Sequence, residues 1–229
     1  MYKIIILKSF AVILSAIIIS SCITIERNIV INEDGSGKEA STVTYERAFF
    51  DFLVSSAMAF DSVNGKSLVD SIFNENTYAG EIRDKYKKTE GITLKDVKAK
   101  FNPDSSLTLK INYTFEKIDK LASAFQTFED TQGNLGIGKT EILFKKDGKK
   151  IHFRYKYSSG DDADSSKGLR NSLTGFFKDQ KMIFNITFPY TVKTSNAHKT
   201  SGKTLTWEFE MDRMMSDTNL IDMKAELKK

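Results

Sequence analysis

Runs of period-two alternation, closed by short turns and separated by helical stretches, constrain this chain more than any other feature. From Leu107 to Phe115 the residues Leu107, Leu109, Ile111, Tyr113 and Phe115 alternate with polar ones without a break. That is the pattern of a strand with one buried face. Ile92, Leu94, Val97, Ala99 and Phe101 predict its partner, with a slip at Lys95-Asp96 that suggests a bulge, and Asn102-Pro103-Asp104-Ser105 turns the chain between them. An earlier hairpin runs from Ile23, Ile25, Ile29 and Ile31, with Arg27 as the exception in its pattern, through Asn32–Gly37 and back along Val43 and Tyr45. A third joins Glu141–Phe144 to Ile151, Phe153, Tyr155 and Tyr157 across Lys145-Lys146-Asp147-Gly148-Lys149-Lys150. Met182, Phe184, Ile186, Phe188, Tyr190 and Val192 predict one long strand, and Leu205, Trp207, Phe209 and Met211 a second. Ile221, Met223, Ala225 and Leu227 predict a last strand or short tail.

Helical spacing fills the gaps. After Glu46, Phe49, Leu53, Ala57 and Phe60 share one face, with Phe50, Val54 and Met58 beside it, and Gly65 is expected to end the helix. Such a wide stripe ordinarily faces a sheet, so these side chains are expected in the core; a lipid-facing or pocket-lining role is the alternative. Shorter helices are expected around Leu68–Phe73 and Ile82–Lys87. Ile118, Leu121, Ala122, Phe125 and Phe128 predict another, and Leu169, Leu173, Phe176 and Phe177 one more. Hairpins imply antiparallel pairing. The expected class is therefore α+β: antiparallel sheet or sheets built from successive hairpins, with inserted helices packed on one face. Pro189 cannot donate to a ladder, which places its strand at an edge or bulge. Trp207 is expected to pack in the core.

The first residues set the compartment. Lys3 and Lys8 accompany an apolar stretch that reaches Ile19, and Ile19-Ser20-Ser21-Cys22 follows. A charged start, an apolar run and small residues before a cut describe a secretory signal. The ending resembles a bacterial lipobox, with cleavage between Ser21 and Cys22 and a diacylglyceryl group on Cys22. The apolar run is interrupted by Lys8 and is shorter than the ~20 residues of a spanning helix. Residues 1–21 are thus expected to be a signal peptide and residues 22–229 a single membrane-anchored extracytoplasmic domain. Ile23 rather than Asp after the cysteine suits an outer-membrane or cell-surface location better than the inner membrane. With little linker after Cys22, the domain is expected to sit close to the membrane.

Charge excludes some classes. Loss of Lys3 and Lys8 with the signal takes two charges from the formal +4 and leaves about +2. This does not argue for nucleic acid as a partner. The four lysines around Asp147-Gly148 read as a solvated tip, with headgroup contact as the alternative.

Candidate chemical motifs are weak. Gly133-Asn134-Leu135-Gly136-Ile137-Gly138-Lys139-Thr140 fits G-x-x-x-x-G-K-T. Phosphate binding by that motif needs a strand before the loop and a helix after it, and here the predicted order is reversed, so the match is read as accidental. Asp162–Gly168 resembles a calcium loop, but its glycine is one place late and Leu173 stands where a bidentate Glu belongs. His152 and His198 fall in separate hairpins without metal-ligand spacing, and no Gly-x-Ser-x-Gly elbow appears. No catalytic residue, cofactor site or metal site is assigned, and the chain is not expected to be an enzyme.

Three stretches carry a family resemblance: Ile29–Gly37, Ile186–Val192 with Ser195-Asn196-Ala197, and Gly202-Lys203-Thr204-Leu205-Thr206-Trp207. Their order resembles the LppM-like bacterial lipoproteins, with Tyr190 in place of a family glycine and no C-terminal transmembrane helix. The resemblance implies a membrane-proximal α+β domain with a lipid or glycolipid pocket, and supplies no catalytic residues. The expected function is a non-catalytic envelope lipoprotein, anchored by its diacylglyceryl-cysteine, that binds a lipid, a glycolipid or an envelope protein. The alternative is a structural or assembly component without a small ligand. A closed cavity would favour the first, an exposed apolar patch the second.

Overall fold

The computed structural model describes residues 23–131, 138–159, 177, 180–216 and 219–229. The predicted helix at Leu169–Phe177 and the calcium-like loop lie outside the described residues, apart from Phe177. The first sheet holds seven strands: β1 (Ile23–Ile31), β2 (Gly37–Tyr45), β3 (Ile92–Phe101), β4 (Leu107–Phe115), β7 (Lys181–Thr187), β9 (Lys199–Ser201) and β10 (Thr204–Glu210). Their order is β3-β4-β2-β1-β7-β10-β9. The second sheet orders β5 (Gly138–Asp147), β6 (Lys150–Ser159), β11 (Asn219–Lys228) and β8 (Thr191–Ser195) as β5-β6-β11-β8. Five helices complete the described chain: α1 (Arg47–Phe60), α2 (Gly65–Ile72), α3 (Glu75–Lys87), α4 (Lys120–Thr131) and α5 (Met211–Ser216).

The architecture is α+β, with antiparallel sheets made from successive hairpins. One pairing departs from the hairpin rule: β1 runs parallel to β7, from Ile25 opposite Met182 to Val30 opposite Thr187. The expected bulge in β3 is present between Leu94 and Asp96. Gly37 is required by packing, since a Cβ there would lie 2.1 Å from the Val30 carbonyl oxygen and 2.3 Å from the Phe115 ring.

The core lies against one face of the seven-stranded sheet. Tyr86 of α3 meets Tyr113 of β4, with ring centroids 5.5 Å apart. Phe125 of α4 stacks edge-on to Tyr157 at 5.2 Å. From the second sheet, Phe153 and Tyr155 meet Trp207 and Phe184 at 6.3 and 5.6 Å. Helices and second sheet thus form one covering layer. The opposite face is polar and self-paired: the Asn185 amide donates to Glu26 and Asn28, and Thr206 donates to Asn185.

Three expectations need correction. The run Met182–Val192 is not one strand. It is interrupted at Pro189, where the chain leaves the first sheet and enters the second as β8; the missing amide hydrogen makes that residue the natural place to break a ladder. Of the two readings of the C-terminal stretch, the strand holds, and β11 sits between β6 and β8. The apolar stripe of α1 is not core: no residue of α1 is buried, and only its first turn reaches the core through Phe49 and Phe50. The helix that packs on β3 is α3, with Tyr78, Ala79, Ile82 and Tyr86 buried. Gly65 does not end α1, which stops at Phe60; it opens α2.

Candidate functional site

Two features stand out, one closed and one open. The closed one starts from Arg27, which occupies the inward phase of β1 and is 4% exposed. Its Nε and Nη2 donate to the two carboxylate oxygens of Glu39 on β2 at 2.5 and 2.8 Å. Ser41 Oγ donates to Glu39 Oε1 at 2.5 Å, and Tyr113 donates its hydroxyl hydrogen to Glu39 Oε2. The Phe125 and Phe184 rings bracket the guanidinium at 4.7 and 5.4 Å. Burial opposes the charge on Arg27, and Glu39, with Tyr113 and Tyr155, more than offsets it, so the guanidinium stays firmly protonated. Burial, then the Glu39 charge, pushes the Tyr113 and Tyr86 hydroxyls above the ordinary tyrosine range. Sequence reading marked Arg27 as an exception but missed its partners. The signal was there: Glu39 and Ser41 share the inward phase of β2 with Val43 and Tyr45. Buried among the described residues, this cluster acts as an internal tie between strands.

The open feature lies at one end of the first sheet. There Ile23 pairs with Tyr45, Tyr45 with Leu107, and Leu107 with Phe101. Around Tyr45 gather Phe49 and Phe50 from α1, Phe73 just after α2, and Tyr78 from α3, with centroids 5.2 to 6.4 Å away. Phe101 adds to this cluster through Phe50 at 5.5 Å. The rings form the base of an α1–α2 hairpin whose far end leaves the core. Gly65 crosses the backbone of α1 so closely that a Cβ would sit 2.5 Å from Met58 N. Asp61 Oδ1 accepts the backbone N–H groups of Val63 and Asn64 at 3.0 Å, fixing the tip. These hydrogen bonds, that of Asn64 foremost, hold the Asp61 carboxyl below its usual range. Between hairpin and sheet end runs an open groove of about 1070 Å³. Its apolar floor is Phe50, Val54, Val69, Phe73 and Phe101; Arg47, Asp51, Lys66 and Asp70 lie along it as two exposed ion pairs.

The other candidate residues are not brought together. The first part of the P-loop-like stretch lies outside the described residues. Gly138, Lys139 and Thr140 belong to β5 and pair with β6, so a strand follows the loop, and Lys139 is engaged by Glu141 at 2.7 Å. His152 stands on β6, whereas His198 Nδ1 accepts the Glu208 N–H at the edge of the other sheet. Among the described residues no three metal-ligating side chains converge. Ser21 and Cys22 lie outside the described residues, but Ile23, which follows them, has its N–H held by the buried Gln180 side chain at 2.7 Å.

Fold and site together define a two-layer α+β domain whose accessible feature is an open, aromatic-floored groove. No family model matches the chain, and no curated protein matches it. Among solved structures it is similar to the folded domain of LppM from Mycobacterium tuberculosis, determined by NMR. That likeness spans 91% of this chain and 90% of the other, at 10% identity and a TM-score of 0.46. It also aligns with the Fcho1 Mu homology domain of Danio rerio with bound Eps15 peptide, over 91% and 79% of the two chains, at 7% identity and a TM-score of 0.24. Both are distant likenesses, and no ligand or activity follows from them.

Proposed function

We propose that this chain is a non-catalytic lipoprotein of a bacterial envelope, tethered through a diacylglyceryl group on Cys22, that binds an amphipathic ligand in the groove beside α1 and α2. The observation that carries this reading is the groove itself: an apolar, aromatic floor flanked by charged side chains, at the sheet end where Ile23 begins β1. A floor of this kind takes acyl or other apolar groups while the flanking charges meet a polar head. A lipid or glycolipid fits that description. The groove is open and not a closed cavity, and the exposed apolar hairpin beside it favours a second reading, an assembly component that uses the same surface against an envelope protein.

Mass spectrometry of the full chain, expressed in a bacterial host and extracted in mild detergent, tests the proposal. The denatured mass is expected to show loss of residues 1–21 and a diacylglycerol adduct on Cys22. The native mass is expected to show a further, non-covalent lipid. Val54→Trp, which fills the groove, is expected to remove the second mass and leave the first. A native mass without added lipid in wild type and variant alike would refute the ligand and leave the assembly reading. A chain without the covalent adduct would refute the tether.

A further inference from the structure

We infer that the tip of the α1–α2 hairpin seats in the interfacial layer of a phospholipid bilayer, giving the domain a second membrane contact beside Cys22. This rests on the tether proposed above and adds which surface faces the lipid.

The first argument is the composition of the hairpin against its exposure. From Phe52 to Phe60, α1 carries no charged residue. Phe60 is 95% exposed and Val63 84%, and Met58, Leu68 and Ile72 are exposed beside them. With Phe101, six of the seven large exposed apolar side chains among the described residues lie on the hairpin or beside its base. Scattered surface apolar residues need no explanation, but a concentration on one projection does.

The second argument is that the tip is built. The close crossing at Gly65 and the Asp61 hydrogen bonds fix a turn that holds Phe60 and Val63 outward. Asp61 spends its carboxylate on the turn's own N–H groups.

The third argument is position. The residue after Cys22 pairs with Tyr45, and α1 starts two residues beyond Tyr45. Tether and hairpin therefore leave the same end of the sheet, and β1 begins at Ile23 with no intervening linker. The lysine-rich β5–β6 turn is at the other end. The Lys149 carbonyl accepts the backbone N–H of Lys229, whose ammonium lies 5.9 Å from the Tyr190 ring, and the Tyr190 hydroxyl donates to the Glu33 carbonyl in the β1–β2 turn. That turn closes β1 at its far end from Ile23. The contact made at the tethered end is thus apolar insertion, and the polybasic tip points away from it.

Cys22 is the only cysteine in the chain, so a lipidated protein accepts a single reporter. Val63→Cys and Glu33→Cys, each carrying an environment-sensitive fluorophore, are purified as full chains from a bacterial host. They are reconstituted into phosphatidylcholine vesicles with and without lipids spin-labelled near the headgroup, and N-terminal peptide mass reports lipidation. The expected result is a blue-shifted, strongly quenched label at position 63 and a water-like, unquenched one at 33. Adding anionic lipid or salt should change neither. An unquenched label at 63 on a lipidated chain would overturn the hairpin's membrane contact and leave the tether intact. A blue-shifted but unquenched label would do the same and indicate a protein contact instead. Equal quenching at 63 and 33 would overturn the orientation. A chain without lipid on Cys22 would overturn the tether and this inference with it.

Discussion

Glu39 offers the sharpest test of how the interior is held. Replacing it by Leu leaves the Arg27 guanidinium, 4% exposed, without its two carboxylate contacts at 2.5 and 2.8 Å. Its Nη1 already has no hydrogen-bond partner among the described residues. Ser41 and Tyr113 lose their acceptor at the same stroke. Breaking a buried pair from one side costs about 3–5 kcal/mol. The Phe125 and Phe184 rings, which remain, each contribute on the order of 2 kcal/mol when desolvated and already act in the wild type, so they do not offset the loss. Against a total stability of roughly 5–15 kcal/mol, Glu39→Leu should forfeit about a fifth or more. Removing the whole network is different. Arg27→Met, Glu39→Leu, Ser41→Ala and Tyr113→Phe together remove every polar side-chain group of these four residues, and such replacements are often neutral or stabilising by about 1–4 kcal/mol. Urea unfolding of residues 22–229 carrying Cys22→Ser, followed through the single and buried Trp207, measures both. A Glu39→Leu midpoint equal to wild type would refute the buried charge pair. A quadruple variant as unstable as Glu39→Leu would show that the network specifies the fold and is not dispensable to it.

Two more outcomes follow from the geometry. Gly65→Ala puts a methyl group 2.5 Å from the α1 backbone, so the hairpin should open, with faster hydrogen exchange over residues 47–72 and little change in the sheets; unchanged exchange there would refute the tight crossing. Tyr86 and Tyr113 are raised by burial first and by Glu39 second, so the fold is favoured below the ordinary tyrosine pKa of about 10 and loses that support as pH rises above it. Tyrosinate absorbance from these two, isolated by difference from Tyr86→Phe and Tyr113→Phe, should appear only as Trp207 fluorescence reports unfolding.

Much of the fold was legible because period-two alternation reports a half-buried strand wherever it occurs. β4 reads directly from its sequence, and even the Leu94–Asp96 bulge left its phase slip. The pairing of β1 with β7 was not legible, since nothing local marks partners so distant in the chain. Pro189 was noticed as a fault in a ladder, but a single residue cannot say that the strand resumes in another sheet. The misreading of α1 has a sharper cause. An apolar helical face records that something covers it, and the same pattern serves whether the cover is a sheet or lies outside the chain. What distinguishes the two is neighbours: α3 puts its apolar residues on β3, whereas α1 packs chiefly on α2 and reaches the sheet only through its first turn. The charge pair was half legible, one exception seen and its counterpart passed over.

The parallel seating of β1 against β7 bears on when this chain can fold. Ile23 reaches Gln180 across 157 residues, so this contact has a high sequence separation and forms slowly. A chain emerging amino end first completes the β1–β2 hairpin early, yet the other edge of β1 stays open until residues 181–187 arrive. In the second sheet, β6 and β8 are joined by β11, the latest element of all. Until then an isoleucine-lined edge is a template for any other extended chain. How long that edge stays open during synthesis therefore bears on the yield of this domain as well as its final stability.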